Sequence, residues 1–229
     1  MSSVLGFFLA ILLGTCSSIL LLDKLKQTNK TILCFGDSLT HGMVVPSADD
    51  WRRTHPYTLR LADLVGNYTS VLTKEKIPVG VIEKGVNGEL VDKMVHRMPH
   101  VLKSHPEVGV AVILGGTNDL GSKHSADKIL TNIVKVHRTV MMHNVPSIAM
   151  TIPQVQWPIN NSARLEVNEG IRDFVKHYEG KVYLVEMESA FDQKVPENKK
   201  YWSVDFAHFS SQGYDAIAEM VFKVLAKIE

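Results

Sequence analysis

Five short apolar runs alternate with stretches of helical spacing from residue 31 to the C-terminus, and this alternation restricts the chain to few folds. The runs fall at residues 31–35, 79–82, 108–114, 147–152 and 182–185. They are largely apolar on consecutive rather than alternate residues, as strands buried on both faces require. Gly36, Gly115-Gly116 and Pro153 close three of them. Helical periodicity covers residues 55–64, 89–103, 126–143, 164–178 and 210–228. In the third of these, Ile129, Ile133, Val136 and Val140 recur at three- and four-residue intervals and share one face. Residues 23–30 read as a polar linker and 191–203 as a loop. Such alternation builds a parallel sheet with helices on both faces. Ligands of these sheets bind beyond the carboxyl ends of the strands, so the loops that follow the runs are where chemistry is expected.

Composition narrows the function classes. Hydrophobic residues make up 45% and charged residues 21% of the 229, which suits one globular domain with a sizeable core. The formal net charge is +1, and the basic pair Lys199-Lys200 is too short to form a patch, so no nucleic-acid partner is expected. Of the two cysteines, Cys16 lies in an apolar run and Cys34 in the first strand, which argues against a disulfide between them. His96 and His100 stand four apart, but Pro99 separates them and no HExxH glutamate accompanies them. Neither a metal nor an organic cofactor is expected.

The N-terminus departs from this pattern. Residues 4–22 carry no charge, and a helix of that length covers about 28 Å, close to the thickness of a bilayer core. An uncleaved single-pass membrane anchor is the preferred reading, which divides the chain into residues 1–30, anchor and linker, and a domain at 31–229. A cleaved signal peptide, giving a secreted or lumenal protein, and a core helix compete with it. Lys24, Lys26 and Lys30 follow the run and favour a cytosolic domain. The acceptor-like tripeptides beginning at Asn29, Asn67 and Asn160 point to the other side.

Four loops carry residue types suited to one reaction. Gly36-Asp37-Ser38-Leu39 follows the first strand and sets a serine at the carboxyl edge of the sheet. Val86-Asn87-Gly88-Glu89 follows the second, where Gly88 would let a backbone N–H approach the same point. Gly116-Thr117-Asn118-Asp119 follows the third, and the Asn118 amide can donate to a developing oxyanion. Asp205-Phe206-Ala207-His208 precedes the last helix, with an aspartate spaced to orient an imidazole that accepts the serine proton. Each loop taken singly also reads as a turn or a helix cap; their joint order is what points to chemistry.

These blocks resemble the GDSL, or SGNH, hydrolase superfamily, in the same order and over most of the chain beyond residue 30. The resemblance implies a three-layer α/β/α sandwich of flavodoxin-like type with a five-stranded parallel sheet. It implies Ser38 as nucleophile, His208 as general base and acid, and Asp205 as its orienting partner. The backbone N–H groups of Ser38 and Gly88 and the side chain of Asn118 would form the oxyanion hole. Residues 34–40 look similar to the arylesterase branch, although His41 stands where that branch often has an aromatic residue. The expected activity is hydrolysis of carboxylic esters through an acyl-enzyme, on lipid or other acyl esters near a membrane. Trp157, with Val155 and Gln156, is the expected substrate contact. The competing reading is a catalytically silent glycan- or lipid-binding module on the same fold.

Overall fold

In the computed structural model, residues 20–46, 53–69, 74, 76, 79–156 and 159–229 are described. Strand β1 (Thr31–Gly36) is buried from its second residue onward, as its unbroken apolar sequence demands. It runs parallel to β4 (Val81–Gly85) on one side and β5 (Val108–Leu114) on the other. Beyond β5 come β6 (Ser147–Met150) and β7 (Val182–Val185), both parallel. The order is β4-β1-β5-β6-β7, which among these five strands is 2-1-3-4-5, the flavodoxin-like order. A two-residue antiparallel ribbon, β2 (Met43–Val44) with β3 (Arg53–Thr54), stands apart.

Side chains of the sheet alternate between two cores. Ile32, Cys34, Val110, Val112, Ile148 and Met150 face one, together with Tyr57 and Leu61 of α3 (Tyr57–Gly66) and Tyr214, Ile217 and Val221 of α9 (Ser211–Leu225). Leu33, Phe35, Ala111, Ile113 and Ala149 face the other, against α4 (Val91–Ser104), α6 (Ala126–Met142) and α7 (Asn161–His177). The alternation follows from the two-residue period of a strand, and the result is the expected α/β/α sandwich. Side-chain caps set the starts of the long helices α6, α7 and α9. Ser125, Asn160 and Ser210 accept from the N–H groups of Lys128, Ala163 and Gly213.

The structure corrects several boundaries. The expected linker begins as helix α1 (Leu21–Gln27), and Leu21, Leu22 and Leu25 are buried in the first core. The Leu21 N–H donates to the Ile228 carbonyl at 2.7 Å. The last residues of the apolar run are therefore core, because leucines at 21, 22 and 25 share a helical face. Residues 4–19, most of the expected anchor, lie outside the described residues. Among the described residues no helix is long and apolar enough to cross a membrane. Strand β4 includes Glu83 and Lys84 and is only half-buried throughout. It is an edge strand, where charge is tolerated and discourages pairing with another chain, so the apolar criterion placed it too early. β6 ends at Met150 because the Ile152 N–H is taken by Asn168 Oδ1 at 2.7 Å. Residues Pro196–Tyr201 form a 3₁₀ turn within the expected loop. Three short helices, α2 (Ser38–His41), α5 (Thr117–Gly121) and α8 (Met187–Ala190), follow β1, β5 and β7.

Candidate active site

The carboxyl end of β1 turns sharply into α2. A Cβ on Gly36 would fall 2.3 Å from both the Leu114 carbonyl and Thr40 Oγ1, so only glycine permits this close turn. Asp37 then caps α2, its Oδ1 accepting the Leu39 N–H at 2.9 Å. Ser38 is the first residue of the helix and is 7% exposed. Its Oγ lies 3.0 Å from His208 Nε2, across 170 residues of sequence.

His208 sits on a loop that is pinned from several directions. Trp202 and Phe209 form an isolated antiparallel bridge, and their rings stack with centroids 4.4 Å apart. The Ser203 N–H donates to the His208 carbonyl at 2.8 Å, and the Ser203 hydroxyl donates to Phe209 O while accepting the Val45 N–H. Asp205 Oδ1 accepts the N–H groups of Ala207 (3.1 Å) and His208 (3.0 Å), leaving Oδ2 2.6 Å from His208 Nδ1. Desolvation pushes the Asp205 carboxyl up, but these three hydrogen bonds outweigh it and hold the group below its ordinary value. Asp205 therefore stays ionised at neutral pH and faces Nδ1, while Nε2 is directed at Ser38.

The loops after β4 and β5 close the other side. Gly88 has φ +72°, in the left-handed region, and no atom stands within 4 Å of where its Cβ would be. The residue is exposed. Asn118 Nδ2 donates to the Glu89 carbonyl at 3.1 Å and reaches Asp37 Oδ2 at 3.4 Å. Asp119, fully buried, accepts the Val91 N–H at 2.9 Å and faces His124 Nδ1 at 3.1 Å. The first turn of α4 is thus tied to the loop that bears Asn118.

Asp37 is wholly buried, and desolvation pushes its carboxyl up to about 7. Its pKa in the unfolded chain is near 3.9, so between about pH 4 and 7 the folded state binds more protons than the unfolded. The Asp37 contribution is therefore fully present below about pH 4 and is lost as pH rises through 7. Asp37→Ser retains a capping oxygen without the charge. The unfolding free energy of wild type relative to this variant is expected to fall by about 2–3 kcal/mol between pH 5 and pH 8, as measured by denaturant titration at each pH.

The structure thus brings Ser38, Asp205 and His208 into one hydrogen-bonded series and places Asn118 beside them through Glu89 and Asp37. His41 ends α2 with its Nδ1 3.7 Å from Glu83 Oε1. Val155 is buried core, Gln156 is exposed, and Trp157 lies outside the described residues. The pairings of Asp119 with Val91 and His124, and of Glu89 with Arg97 described below, were not anticipated from sequence.

A flavodoxin-like sheet with a serine, a histidine and an aspartate in hydrogen-bond sequence at its carboxyl edge defines a hydrolase framework. The sequence model of the GDSL-like lipase/acylhydrolase family matches residues 34–216, and the chain belongs to that family. Solved structures share the fold. A lipase/acylhydrolase from Enterococcus faecalis superposes with a TM-score of 0.67 at 18% identity, covering 87% of this chain and 97% of that one. The aryl esterase of M. smegmatis superposes at 0.63 with 20% identity, covering 85% and 99%. A carbohydrate acetylesterase from Sinorhizobium meliloti superposes at 0.63 with 17% identity, covering 84% and 98%. No curated protein matches the chain in sequence.

Proposed function

We propose that the chain hydrolyses carboxylic esters with Ser38 as nucleophile. The observation that carries this reading is the continuous series Ser38 Oγ, His208 and Asp205, at 3.0 and 2.6 Å. His208 Nε2 takes the hydroxyl proton as Oγ attacks the ester carbonyl, and Asp205 stabilises the imidazolium that results. The tetrahedral oxyanion is met by the N–H groups of Ser38 and Gly88 and by the Asn118 amide, which gives up its long 3.4 Å contact with Asp37 Oδ2 while keeping its bond to the Glu89 carbonyl. Collapse returns the proton from His208 to the leaving alcohol and leaves an acyl-enzyme. A water molecule, deprotonated by His208, then releases the acid and restores Ser38. The structural neighbours, described as an acylhydrolase, an aryl esterase and a carbohydrate acetylesterase, support this class.

Where α1 lies bears on the substrate. Leu21, Lys24 and Leu25 line one pocket with Pro106, Val108, Gly109 and Val145, at the amino ends of β5 and β6. Ser38 stands at the opposite, carboxyl edge. The candidate site thus stands at the end of the domain away from α1, which favours esters that approach from that end.

A series of p-nitrophenyl esters from acetate to palmitate tests the reading. Saturable turnover of at least the short members is expected. A folded protein that turns over none of them yet binds a glycan or lipid tightly would be the silent module instead. Within this account Asn118→Ala removes one oxyanion donor. It should lower kcat by about 10²- to 10³-fold with little change in KM, read from steady-state kinetics on the best ester of the series.

A further inference from the structure

Arg97 stands on α4, one turn beyond the buried Met94 and next to Met98, so it flanks the stripe that packs against the sheet. Its side chain is only 22% exposed and that of Glu89 only 7%. All three nitrogens are occupied. Nε donates to Glu89 Oε1 at 2.8 Å, Nη2 to Glu89 Oε2, and the two form a fork-to-fork pair. Nη1 donates to the Lys84 carbonyl and Nη2 to the Gly36 carbonyl, each at 3.1 Å. The guanidinium carbon lies 3.9 Å from the centroid of the Phe35 ring.

These contacts fall on the carboxyl ends of two strands, β1 and β4, and on the loop between β4 and α4. Gly36 precedes Asp37 and Ser38 on the nucleophile turn. Lys84 is the penultimate residue of β4, just before the loop that carries Gly88. Glu89 follows Gly88, and its carbonyl is the acceptor that fixes Asn118 Nδ2. A largely buried charge pair carries a desolvation cost that hydrophobic packing of similar volume would avoid, so stability alone gives a weak reason for placing it here. Its geometry has a different consequence: one planar group sets the spacing between the ends of β1 and β4 and the backbone of residue 89.

We propose that Arg97 and Glu89 are positioning residues for the oxyanion hole, acting through the Glu89 backbone on Gly88 and Asn118 and through Gly36 on the Ser38 turn. This rests on the ester-hydrolase reading above. A lysine at 97 retains the charge but offers one point in place of a planar fork, so it cannot hold Glu89, Lys84 and Gly36 together. A displacement of about 1 Å in a catalytic group can cost on the order of 10²-fold in rate.

The test compares wild type with Arg97→Lys, Glu89→Gln and the double variant. Active sites are counted by the end-point of fluorophosphonate labelling, so that any unfolded fraction is removed from the rates. The expected result is a loss of about 10- to 100-fold in kcat per labelled site with KM within about threefold. The inhibition constant of a trifluoromethyl ketone, whose serine adduct carries the oxyanion, should rise by the same factor. The double variant should be no worse than the poorer single one, because both remove the same constraint. A lowered melting temperature with kcat per labelled site and ketone inhibition within twofold of wild type would overturn the proposal and leave the pair a structural one. Wild type that takes no label at Ser38 would overturn the hydrolase reading itself, and the two failures are thereby told apart.

Discussion

Ser38→Ala is expected to lower kcat on any ester substrate by roughly 10⁶-fold, and His208→Ala by a similar factor. The two groups act as one unit. The Ser38 hydroxyl is a poor nucleophile at neutral pH unless His208 Nε2, 3.0 Å away, takes its proton. With either gone, the other has no proton transfer to perform, so the double variant should be no slower than the singles. Turnover above the uncatalysed rate should persist in all three, because the donors at Gly88 and Asn118 remain. Single-turnover kinetics on the three variants check this. Additive losses would mean that Ser38 and His208 do not share a step.

Asp205→Asn is expected to cost about 10⁴-fold in kcat while leaving the fold and KM nearly intact. The reason lies in how the carboxylate is held. Its Oδ1 accepts two backbone N–H groups, from Ala207 and His208, and an asparagine keeps its oxygen there. The amide nitrogen must then occupy the Oδ2 position, 2.6 Å from His208 Nδ1 in the wild type. A donor at that place requires Nδ1 to accept, which puts the imidazole proton on Nε2, facing Ser38. The histidine can no longer take the serine proton. Asp205→Ala lacks the misplaced donor, so the two variants differ in a way that pH-rate profiles and imidazole nitrogen chemical shifts can read.

The sheet was legible because four of its five strands are apolar on both faces, and residues 31–35, 108–114 and 182–185 could hardly pack otherwise. β4 was mislocated for the same physical reason in reverse: an edge strand tolerates Glu83 and Lys84, so burial leaves no clear mark on it. α1 was hidden because an apolar run continues without a break from residue 4 into leucines that belong to the core. Composition cannot distinguish lipid from protein interior as the destination of a leucine.

The meeting of Ser38, Asp205 and His208 was legible because Asp205 and His208 are three residues apart and Ser38 follows a strand. The supporting contacts were not. Glu89 meets Arg97 only because the loop after β4 leads directly into α4, and Arg97 meets Gly36 only across the sheet edge. The available signal was a single arginine beside the buried stripe of an amphipathic helix, a place where a charge needs a partner. Asp119 offers a similar lesson: a carboxylate in a small helix after β5 proves fully buried, serving the N–H of Val91.

The central claim is that Ser38 is the nucleophile, and covalent capture tests it most directly. Purified wild-type protein is treated with a fluorophosphonate, digested, and the modified peptide sequenced by mass spectrometry. The account predicts stoichiometric labelling on Ser38, loss of esterase activity in step with it, and no labelling of Ser38→Ala or of heat-denatured protein. Labelling at another residue, or full esterase activity in Ser38→Ala, would contradict it.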